Sequence, residues 1–445
     1  MRFYAARETI TPEFPVKMAG YESRTGYNKG IHDELFSKCV IFDDGNKKVM
    51  LIALDLCMLD NIFVYEIKDI IFKQYNFNHE DIIIHTTHTH AGPRTYLFGE
   101  RTLFGTNSET DKYMEYLKQQ ILKSIEKCLE NSFEGEMEIG TGETYIGSSR
   151  RQKTQNGYSI GPNMTDDIDR NLTVLKIKDD KNTVRLILFS CPCHPVVLYP
   201  DNESISADYP GAACRELEKR YPDSMAVFLQ GTGADINPAV LIGGDKYRST
   251  FYTDVLITGK ILANDVNNIL KCGMRKLVSE LKTSLSKINL PLGELKTDYF
   301  MELMQSGNAD KAKYGKRMLE IAQSDMYSSG CLFQISIVEL AKDVRIIGLE
   351  GEICNKIGID IRNLFTQGNT IVLGYTNGSV SYIPTQKILS EGGYEAVCAY
   401  TKSGIPAPFA DNTESVILEH ISTARQGTAD CAKTQLDEYT SSIIH

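Results

Sequence analysis

Apolar residues along this chain recur either at every second position, as in a strand, or at every third or fourth position, as in a helix. The two patterns alternate many times from one end of the chain to the other. The segment KCVIFDDGNKKVMLIALDL (38–56) predicts two strands joined by a turn at DDGN. The next segment, NIFVYEIKDIIFKQY, has the spacing of a helix, and EDIIIH after it predicts a short buried strand. The same helical spacing predicts helices over 111–131, 208–220, 250–272 and 297–325.

Strand patterns return between these helices. They occur in EMEIGTGETYIGSS, NLTVLKIKD, VRLILFSCPCH, MAVFLQGTG, CLFQISIVEL, VRIIGLEGE and NTIVLGYTNG. Because strands and helices alternate from end to end with no Pro/Ser-rich linker, we predict one α/β domain over residues 1–445, with mixed β-sheets covered by helices. Within it, residues 240–330 are the segment that we expect to form a subdomain or a lid insertion.

Composition narrows the class of protein. The 445 residues are 42% hydrophobic and 24% charged, which is ample apolar material for a packed core. The formal net charge of −10 argues against a nucleic-acid partner, since phosphate binding needs clustered lysine and arginine. The most apolar stretch, VMLIALDLCML, is interrupted by Asp55 and is too short to span a bilayer, so we predict no transmembrane segment.

Two features bear on the compartment. The N-terminal sequence MRFYAARETITPEFP lacks the apolar core of a signal peptide. The 11 cysteines are odd in number and lack the spacing of a disulfide framework, which suits a reducing environment. We therefore expect a cytoplasmic protein, and the sequence leaves its oligomeric state open.

Histidine is scarce, with 8 residues in the chain, yet three lie within six positions in HTTHTH. On a strand, His88 and His90 would point the same way and His85 the other way. Two imidazoles at the carboxyl end of a strand provide half of a metal site. The alternative is a pair of hydrogen-bonded histidines on an ordinary surface.

Three later fragments carry further candidates. FSCPCHPVVLYP ends another strand with His194, whose strand parity separates it from Cys191 and Cys193, so we interpret these two as small buried thiols. Glu352 lies where a strand turns into a helix, and Tyr382 lies on a long loop. Taken singly, the glutamate is also explained by the helix dipole and the loop tyrosine by packing.

In this order, the fragments MAGY, GIHDEL, THTHAGP, CHPVVLYPDNESISADYPG, GADINP and EGE, together with the Tyr382 loop, resemble the neutral/alkaline, non-lysosomal ceramidase family. The resemblance covers the catalytic domain of that family and implies that its C-terminal β-sandwich domain is missing. It also implies a single zinc ion (Zn2+) held by two histidines, a glutamate and a tyrosine, which match His88, His194, Glu352 and Tyr382.

The resemblance implies catalytic roles as well. His90 matches the histidine that faces the substrate and shuttles protons. An arginine and a tyrosine that hold the scissile carbonyl match Arg150 and Tyr394, although SSRRQ makes Arg151 an equal match for the arginine. Two imidazoles and a carboxylate suit zinc, which lowers the pKa of a bound water to about 7.

One motif departs from the family. Where ceramidases have G-D-V-S-P, this chain has GADINP, so Asp235 aligns but Asn237 replaces the serine. Asparagine cannot act as a nucleophile there, which puts ceramide in question more than hydrolysis.

The leading hypothesis is therefore a zinc-dependent amide hydrolase of the neutral ceramidase type, acting on a small-molecule or lipid amide. The first alternative is a metallohydrolase for a small non-lipid amide or ester. The second is a relative that binds a metal and a ligand without turnover.

Overall fold

A computed structural model describes residues 1–445 except 97–99, 101–103, 245, 249–250, 324–329 and 427–445. The strands are β1 (Arg2–Thr9), β2 (Gly30–Ile31), β3 (Phe36–Asp43), β4 (Lys48–Leu54), β5 (Ile82–Thr86), β6 (Ser132–Glu143), β7 (Gly147–Thr154), β8 (Gly157–Asn163), β9 (Asn171–Asp179), β10 (Val184–Cys191), β11 (Ser204–Ile205), β12 (Met225–Gln230), β13 (Ile236–Pro238), β14 (Leu241–Ile242), β15 (Lys246–Tyr247), β16 (Arg275–Lys276), β17 (Ser279–Pro291), β18 (Gly330–Ala341), β19 (Val344–Leu349), β20 (Glu352–Ile353), β21 (Asn369–Leu373) and β22 (Tyr382–Ile383).

The helices are α1 (Asn61–Tyr75), α2 (Ser108–Glu130), α3 (Asp208–Arg220), α4 (Tyr252–Lys271), α5 (Thr297–Met304), α6 (Ala309–Gln323), α7 (Asn355–Leu364), α8 (Gln386–Glu391), α9 (Tyr394–Thr401) and α10 (Thr413–Gln426). A 3₁₀ turn, His79–Asp81, leads into β5. Among the described residues, no helix is both long and apolar enough to cross a membrane.

Two sheets form the body of the molecule. The larger has the strand order β12-β10-β9-β6-β1-β3-β4-β5, with β16 added beside β6. The smaller has the order β17-β18-β19-β21. Both are mixed: β4–β5, β10–β12 and β19–β21 are parallel pairs, whereas the other neighbours in these two sheets are antiparallel. Parallel pairs need long connections, and helices provide several of them.

The two sheets pack face to face, and helices cover their outer faces. Strand β4 illustrates this arrangement, because its residues alternate between two apolar clusters. Met50 and Ile52 pack with the residues of α1 and α2 on the outer face, whereas Val49 and Leu51 pack with β18, β19 and β21 of the smaller sheet. A strand buried on both faces reads as a continuous apolar run, which explains VMLIAL.

The predicted fold class, mixed sheets covered by helices, is therefore confirmed. The layering was not predicted: it is helix, sheet, sheet, helix, with α3 and α4 on the larger sheet and α7 and α10 on the smaller one. The helix predicted over 297–325 is interrupted, because α5 ends at Met304 and α6 begins at Ala309.

The segment 240–330 contributes to several parts of the molecule. Its helix α4 packs on α3, its strand β17 is an edge of the smaller sheet, and its helices α5 and α6 lie against α9. Part of this segment lies outside the described residues, and its role as a subdomain or lid stays a prediction.

The two sheets meet at the carboxyl ends of their parallel strands. An isolated bridge pairs His85 of β5 with Thr376, just after β21, and another pairs Gly231, just after β12, with Leu373. Loops that leave these strand ends therefore run together along a single seam.

Candidate functional site

Two buried histidines lie on this seam, each a few residues after a parallel strand. Strand β5 ends at Thr86, and His88 adopts a left-handed conformation (φ +67°) in the turn that follows. The His88 N–H donates to the Leu56 carbonyl at 2.8 Å, and the His194 N–H donates to the Ile236 carbonyl at 2.9 Å. His88 and His90 therefore face the same site, as predicted, although the turn after β5, and not strand alternation, directs His88 there.

The hydrogen-bond partners of the two rings assign their tautomers. His88 Nδ1 lies 2.8 Å from the carbonyl oxygen of Cys57, and His194 Nδ1 lies 2.9 Å from that of Gly233. A carbonyl oxygen only accepts, so each Nδ1 carries a hydrogen, and each ring, when it is neutral, presents the lone pair of Nε2. The two Nε2 atoms are 2.9 Å apart.

Glu352 completes a triangle of electron-rich atoms. Its Oε2 lies 3.3 Å from His88 Nε2 and 3.4 Å from His194 Nε2. Gly351, with φ +147°, makes the turn that brings this carboxylate in from β19, and a Cβ there would press on the Ser381 carbonyl. Three acceptors this close, all buried, repel one another unless a proton or a metal ion lies between them.

The triangle has the dimensions of a zinc site. Ligand atoms at about 2.0–2.2 Å from a tetrahedral zinc are roughly 3.3 Å from one another. The three observed separations, 2.9, 3.3 and 3.4 Å, bracket that spacing. Each imidazole is also fixed through its other nitrogen by a backbone carbonyl, as ligand histidines commonly are. The donor set therefore fits a divalent metal ion.

The electrostatics of the triangle favour a positive charge at its centre. Burial lowers the pKa of His88, but Cys57 and then Glu352 outweigh it and raise that pKa to about 10. Burial and the neighbouring His88 lower the pKa of His194 to about 4. Burial raises the pKa of Glu352, yet the two histidines hold it well below its usual value. The carboxylate thus stays ionised, and the protonated His88 supplies the positive charge beside it.

A second group with metal-binding atoms shares one of these histidines. Cys57, His88 and His90 also bring potential ligand atoms within 4.8 Å of one another. The Cys57 thiol, however, lies 3.8 Å from His88 Nδ1, the nitrogen that already donates to the Cys57 carbonyl. The group with His194 and Glu352 is therefore the stronger candidate metal centre.

Tyr382 stands beside Glu352, because β20 and β22 pair in parallel with these two residues in register. The ring centroids of Tyr382 and Tyr394 are 5.6 Å apart and nearly perpendicular. The guanidinium carbon of Arg150 lies 5.6 Å from the first ring centroid and 5.3 Å from the second. The two predicted tyrosines and Arg150 therefore form one cluster next to the candidate metal centre.

Arg150 and Arg151 differ sharply. Arg150 Nε donates to Glu395 Oε1 at 2.8 Å, while its Nη2 is buried and has no hydrogen-bond partner. Arg151 donates to Glu395 at 2.6 Å, to Glu391 at 3.1 Å and to the Gly392 carbonyl at 2.9 Å. Of the two arginines that the sequence left open, the structure places Arg150 beside the tyrosines.

His90 adjoins the triangle from the other side. Its Nε2 lies 3.1 Å from His88 Nε2, and its Nδ1 is buried without a partner. Burial, followed by the charges of His88 and His194, lowers its pKa well below the usual value, so the ring is neutral near pH 7. Gly20 packs against this ring so closely that a Cβ there would clash with it, and Tyr21 meets it edge-on at 5.0 Å. The MAGY segment thus packs against one side of the His90 ring.

Asp235 and Asn237 lie on the strand segment beside His194. Asp235 accepts from the backbone N–H and the side-chain amide of Asn355, at 2.7 and 2.6 Å, and so holds the first residue of α7. Its own carbonyl accepts from the Arg150 N–H at 2.9 Å. Burial raises the pKa of Asp235 to about 6. Asn237 is opposite Ser148 in the β13–β7 pair, and its Oδ1 is buried without a partner.

His85 points away from the site, as predicted. Its Nε2 accepts from the Gln230 N–H at 2.8 Å, and its Nδ1 lies 3.3 Å from Thr376 Oγ1. Cys191 and Cys193 are buried and free, in agreement with the interpretation of these residues as small apolar side chains.

The sequence did not identify three residues that contact this site. Tyr375 packs its ring on His88, Glu395 binds Arg150, and the carbonyl of Cys57 orients His88. Glu395 directly follows Tyr394, and Tyr375 lies in GYTNG, seven residues before Tyr382, but no spacing rule distinguishes them from packing residues.

Comparison with known proteins gives one family. The model described as "Neutral/alkaline non-lysosomal ceramidase, N-terminal" matches residues 6–244. The neutral ceramidase of Oryza sativa is 24% identical over 259 residues, covering 55% of this chain and 31% of that protein. The neutral ceramidase of Mycobacterium tuberculosis is 26% identical over 246 residues, covering 50% of this chain and 38% of that protein. The matched part thus spans about a third of the length of these relatives.

A solved structure shares the fold over nearly the whole chain. The crystal structure of neutral ceramidase from Pseudomonas aeruginosa superposes with a TM-score of 0.76, covering 98% of this chain and 76% of the other, at 16% identity. The similarity in fold therefore extends well beyond residue 244, across the segments that carry Glu352 and Tyr382.

Proposed function

Because this chain belongs to the neutral/alkaline non-lysosomal ceramidase family, we propose that it is a zinc-dependent hydrolase that cleaves an N-acyl amide bond. The observation that carries the proposal is the triangle formed by His88 Nε2, His194 Nε2 and Glu352 Oε2. These atoms come from three distant parts of the chain, and each is buried, electron-rich and aimed at a common point.

In this proposal His88, His194 and Glu352 hold the zinc ion, with Tyr382, the register partner of Glu352, as the fourth ligand. When bound, zinc acts as a Lewis acid that polarises a carbonyl and activates a water molecule near neutral pH. The protein supplies a dry, charged surrounding, since all four side chains are buried.

Arg150 and Tyr394 bind the carbonyl of the substrate. Nη2 of Arg150 is buried and unpaired, so it has a hydrogen bond to give, and Glu395 holds the guanidinium through Nε. Such a donor stabilises the negative oxygen that develops in the transition state, and losing one typically costs about 3 kcal/mol.

His90 transfers the proton from the attacking water to the leaving nitrogen. Hydrolysis joins the oxygen of water to the acyl carbon and breaks the C–N bond, so a proton from the water must reach the departing nitrogen. His90 is neutral and stands next to His88, which places it to accept that proton and deliver it to the amine. The products are a carboxylate and an amine.

The proposal is tested by metal analysis and turnover on the purified protein. We expect about one zinc per chain, its loss in His88→Ala, and hydrolysis of a fluorescent N-acylsphingosine by the wild-type protein. Zinc in equal amount in wild type and His88→Ala would overturn the assignment of the site. Bound zinc with no hydrolysis of any amide or ester would instead support a metal-binding relative without turnover.

A second candidate is hydrolysis of a small polar amide or ester. The observation that favours it is Asn237, which stands where the family motif has serine and whose Oδ1 is unpaired. Assaying short N-acyl amides and matched esters beside the long-chain substrate separates the candidates, because this one requires faster turnover of the short substrates.

A further inference from the structure

Tyr375 is tied by its backbone to both segments that supply ligand side chains. Its N–H donates to the carbonyl of Gly351, the residue before Glu352, at 2.9 Å. Its carbonyl accepts from the N–H of Thr86, two residues before His88, at 3.2 Å. A single residue after β21 thus joins the end of β5 to the turn that follows β19.

The side chain of Tyr375 also links the two segments, because it contacts both His88 and Glu352. Its ring stacks on the imidazole of His88, with centroids 3.9 Å apart and planes inclined by 24°. Its hydroxyl donates to Oε2 of Glu352 at 3.4 Å, the same oxygen that faces the two histidines. The side chain is 1% exposed, so water does not compete for either contact.

Tyr375 makes these contacts from an unfavourable backbone conformation. Its φ is +51°, a region that bulky residues rarely occupy, and Asn377 two residues later has φ +60°. Asn377 anchors the turn, because it donates its N–H to the Ile84 carbonyl at 2.7 Å and accepts from the Ile84 N–H at 2.9 Å. Such conformations persist where surrounding contacts enforce them, and they cluster at functional sites.

We propose that Tyr375 is a positioning residue for the metal centre. Its ring fixes the plane of the His88 imidazole, and its hydroxyl orients Oε2 of Glu352 toward the ion. This inference rests on the proposed function and adds an element that the ligand set does not contain. The loss of one such supporting contact typically weakens metal binding by about 10- to 100-fold.

The test separates the hydroxyl from the ring. Tyr375→Phe keeps the stack and removes the hydrogen bond, whereas Tyr375→Leu removes both. We expect zinc affinity, measured by competition with a chelator, to fall about 10-fold in Tyr375→Phe and about 100-fold in Tyr375→Leu. The visible absorption spectrum of the Co²⁺-substituted protein should shift in both variants, since it reports ligand geometry directly.

Tyr113→Phe is the matched control. Tyr113, on α2, is equally buried, and its hydroxyl donates at 3.1 Å to the carbonyl of Ile10, a residue that is not part of the candidate metal centre. This variant should lose a similar amount of stability while its zinc affinity and its Co²⁺ spectrum stay unchanged. If Tyr375→Leu does not fold, Tyr375→Phe alone decides the question.

Two results would overturn the inference, and they differ from a failure of the proposed function. Zinc affinity and a Co²⁺ spectrum in Tyr375→Phe equal to those of wild type would show that the hydroxyl does not orient Glu352. Equal decreases in Tyr375→Phe and Tyr113→Phe would show a general loss of stability. Failure of the proposed function appears earlier, as a wild-type protein that binds no zinc.

Discussion

His85 and His88 are three residues apart, both fully buried, and yet chemically opposite. Both ring nitrogens of His85 meet protein partners, the Gln230 N–H and the Thr376 hydroxyl. One nitrogen of His88 likewise meets a backbone carbonyl, whereas the other faces two electron-rich groups, a second imidazole and a carboxylate. Burial alone therefore does not distinguish a structural histidine from a ligand. The difference lies in what the second nitrogen meets.

Glu350 and Glu352 form a second pair of buried residues of the same type, one outside the candidate metal centre and one within it. Of all the substitutions considered, we expect Glu352→Gln to have the largest effect on zinc binding and hydrolysis. Glu352→Gln removes the charge at the centre of the site, so zinc should be lost and hydrolysis should fall by at least 1,000-fold, on the order of 4 kcal/mol. The measurements are zinc content per chain and turnover.

Glu350→Gln is the control for that variant. Glu350 is equally buried, but its Oε2 accepts from the Gln334 N–H at 2.7 Å and takes no part in the triangle. Its glutamine variant should keep one zinc per chain. Equal zinc losses in the two variants would contradict the distinction between these carboxylates.

The next largest effect is expected for the pair Arg150 and Arg151, and it concerns kcat. Arg150→Lys removes the free Nη2 donor, and we expect kcat to fall by about 100- to 1,000-fold with zinc retained. Arg151→Lys loses contacts with Glu391 and Gly392 but no donor toward the substrate, so its kcat should change by less than 10-fold. Steady-state kinetics of both variants decide this, and a larger loss in Arg151→Lys would reverse the assignment.

For His85 the expected effect is on stability. Burial lowers its pKa to about 3, so between pH 6.5 and 3 the unfolded chain binds more protons than the folded one. Stability should therefore fall as the pH drops through that window. His85→Gln should flatten the fall in urea denaturation while keeping one zinc per chain at pH 7. At that pH it should cost about 1–3 kcal/mol, because the partners of the ring are left imperfectly satisfied. An unchanged pH profile would contradict this account.

The smallest effect concerns Asn237. Its Oδ1 is buried and has no hydrogen-bond partner, and Asn237→Ser supplies the hydroxyl of the family motif. We expect KM to change by about 10-fold or less, which is at most about 1.4 kcal/mol, in opposite directions for long-chain and short-chain amides. Parallel changes for both substrates would assign Asn237 to packing.

Much of this molecule could be predicted from its sequence. The fold class followed from alternating periods. His88, His194 and Glu352 stand at the ends of strand patterns, but they could be named as a ligand set only through the resemblance to the ceramidase family. Arg150 could not be separated from Arg151, since side chains on a strand alternate and no local feature says which face meets the site. Tyr375 was missed because its contacts depend on a left-handed turn that GYTNG permits without requiring.

The spread of the ligands along the chain has a consequence for biosynthesis. His88 and Glu352 are separated by more than half of the polypeptide, and Tyr375 and Tyr382 are made later still. A nascent chain emerging from the ribosome would expose two imidazoles long before the carboxylate exists. We therefore expect a metal ion to be bound tightly only after Glu352 has been made, so that metal loading would report that the segment carrying this glutamate has folded against the two histidines.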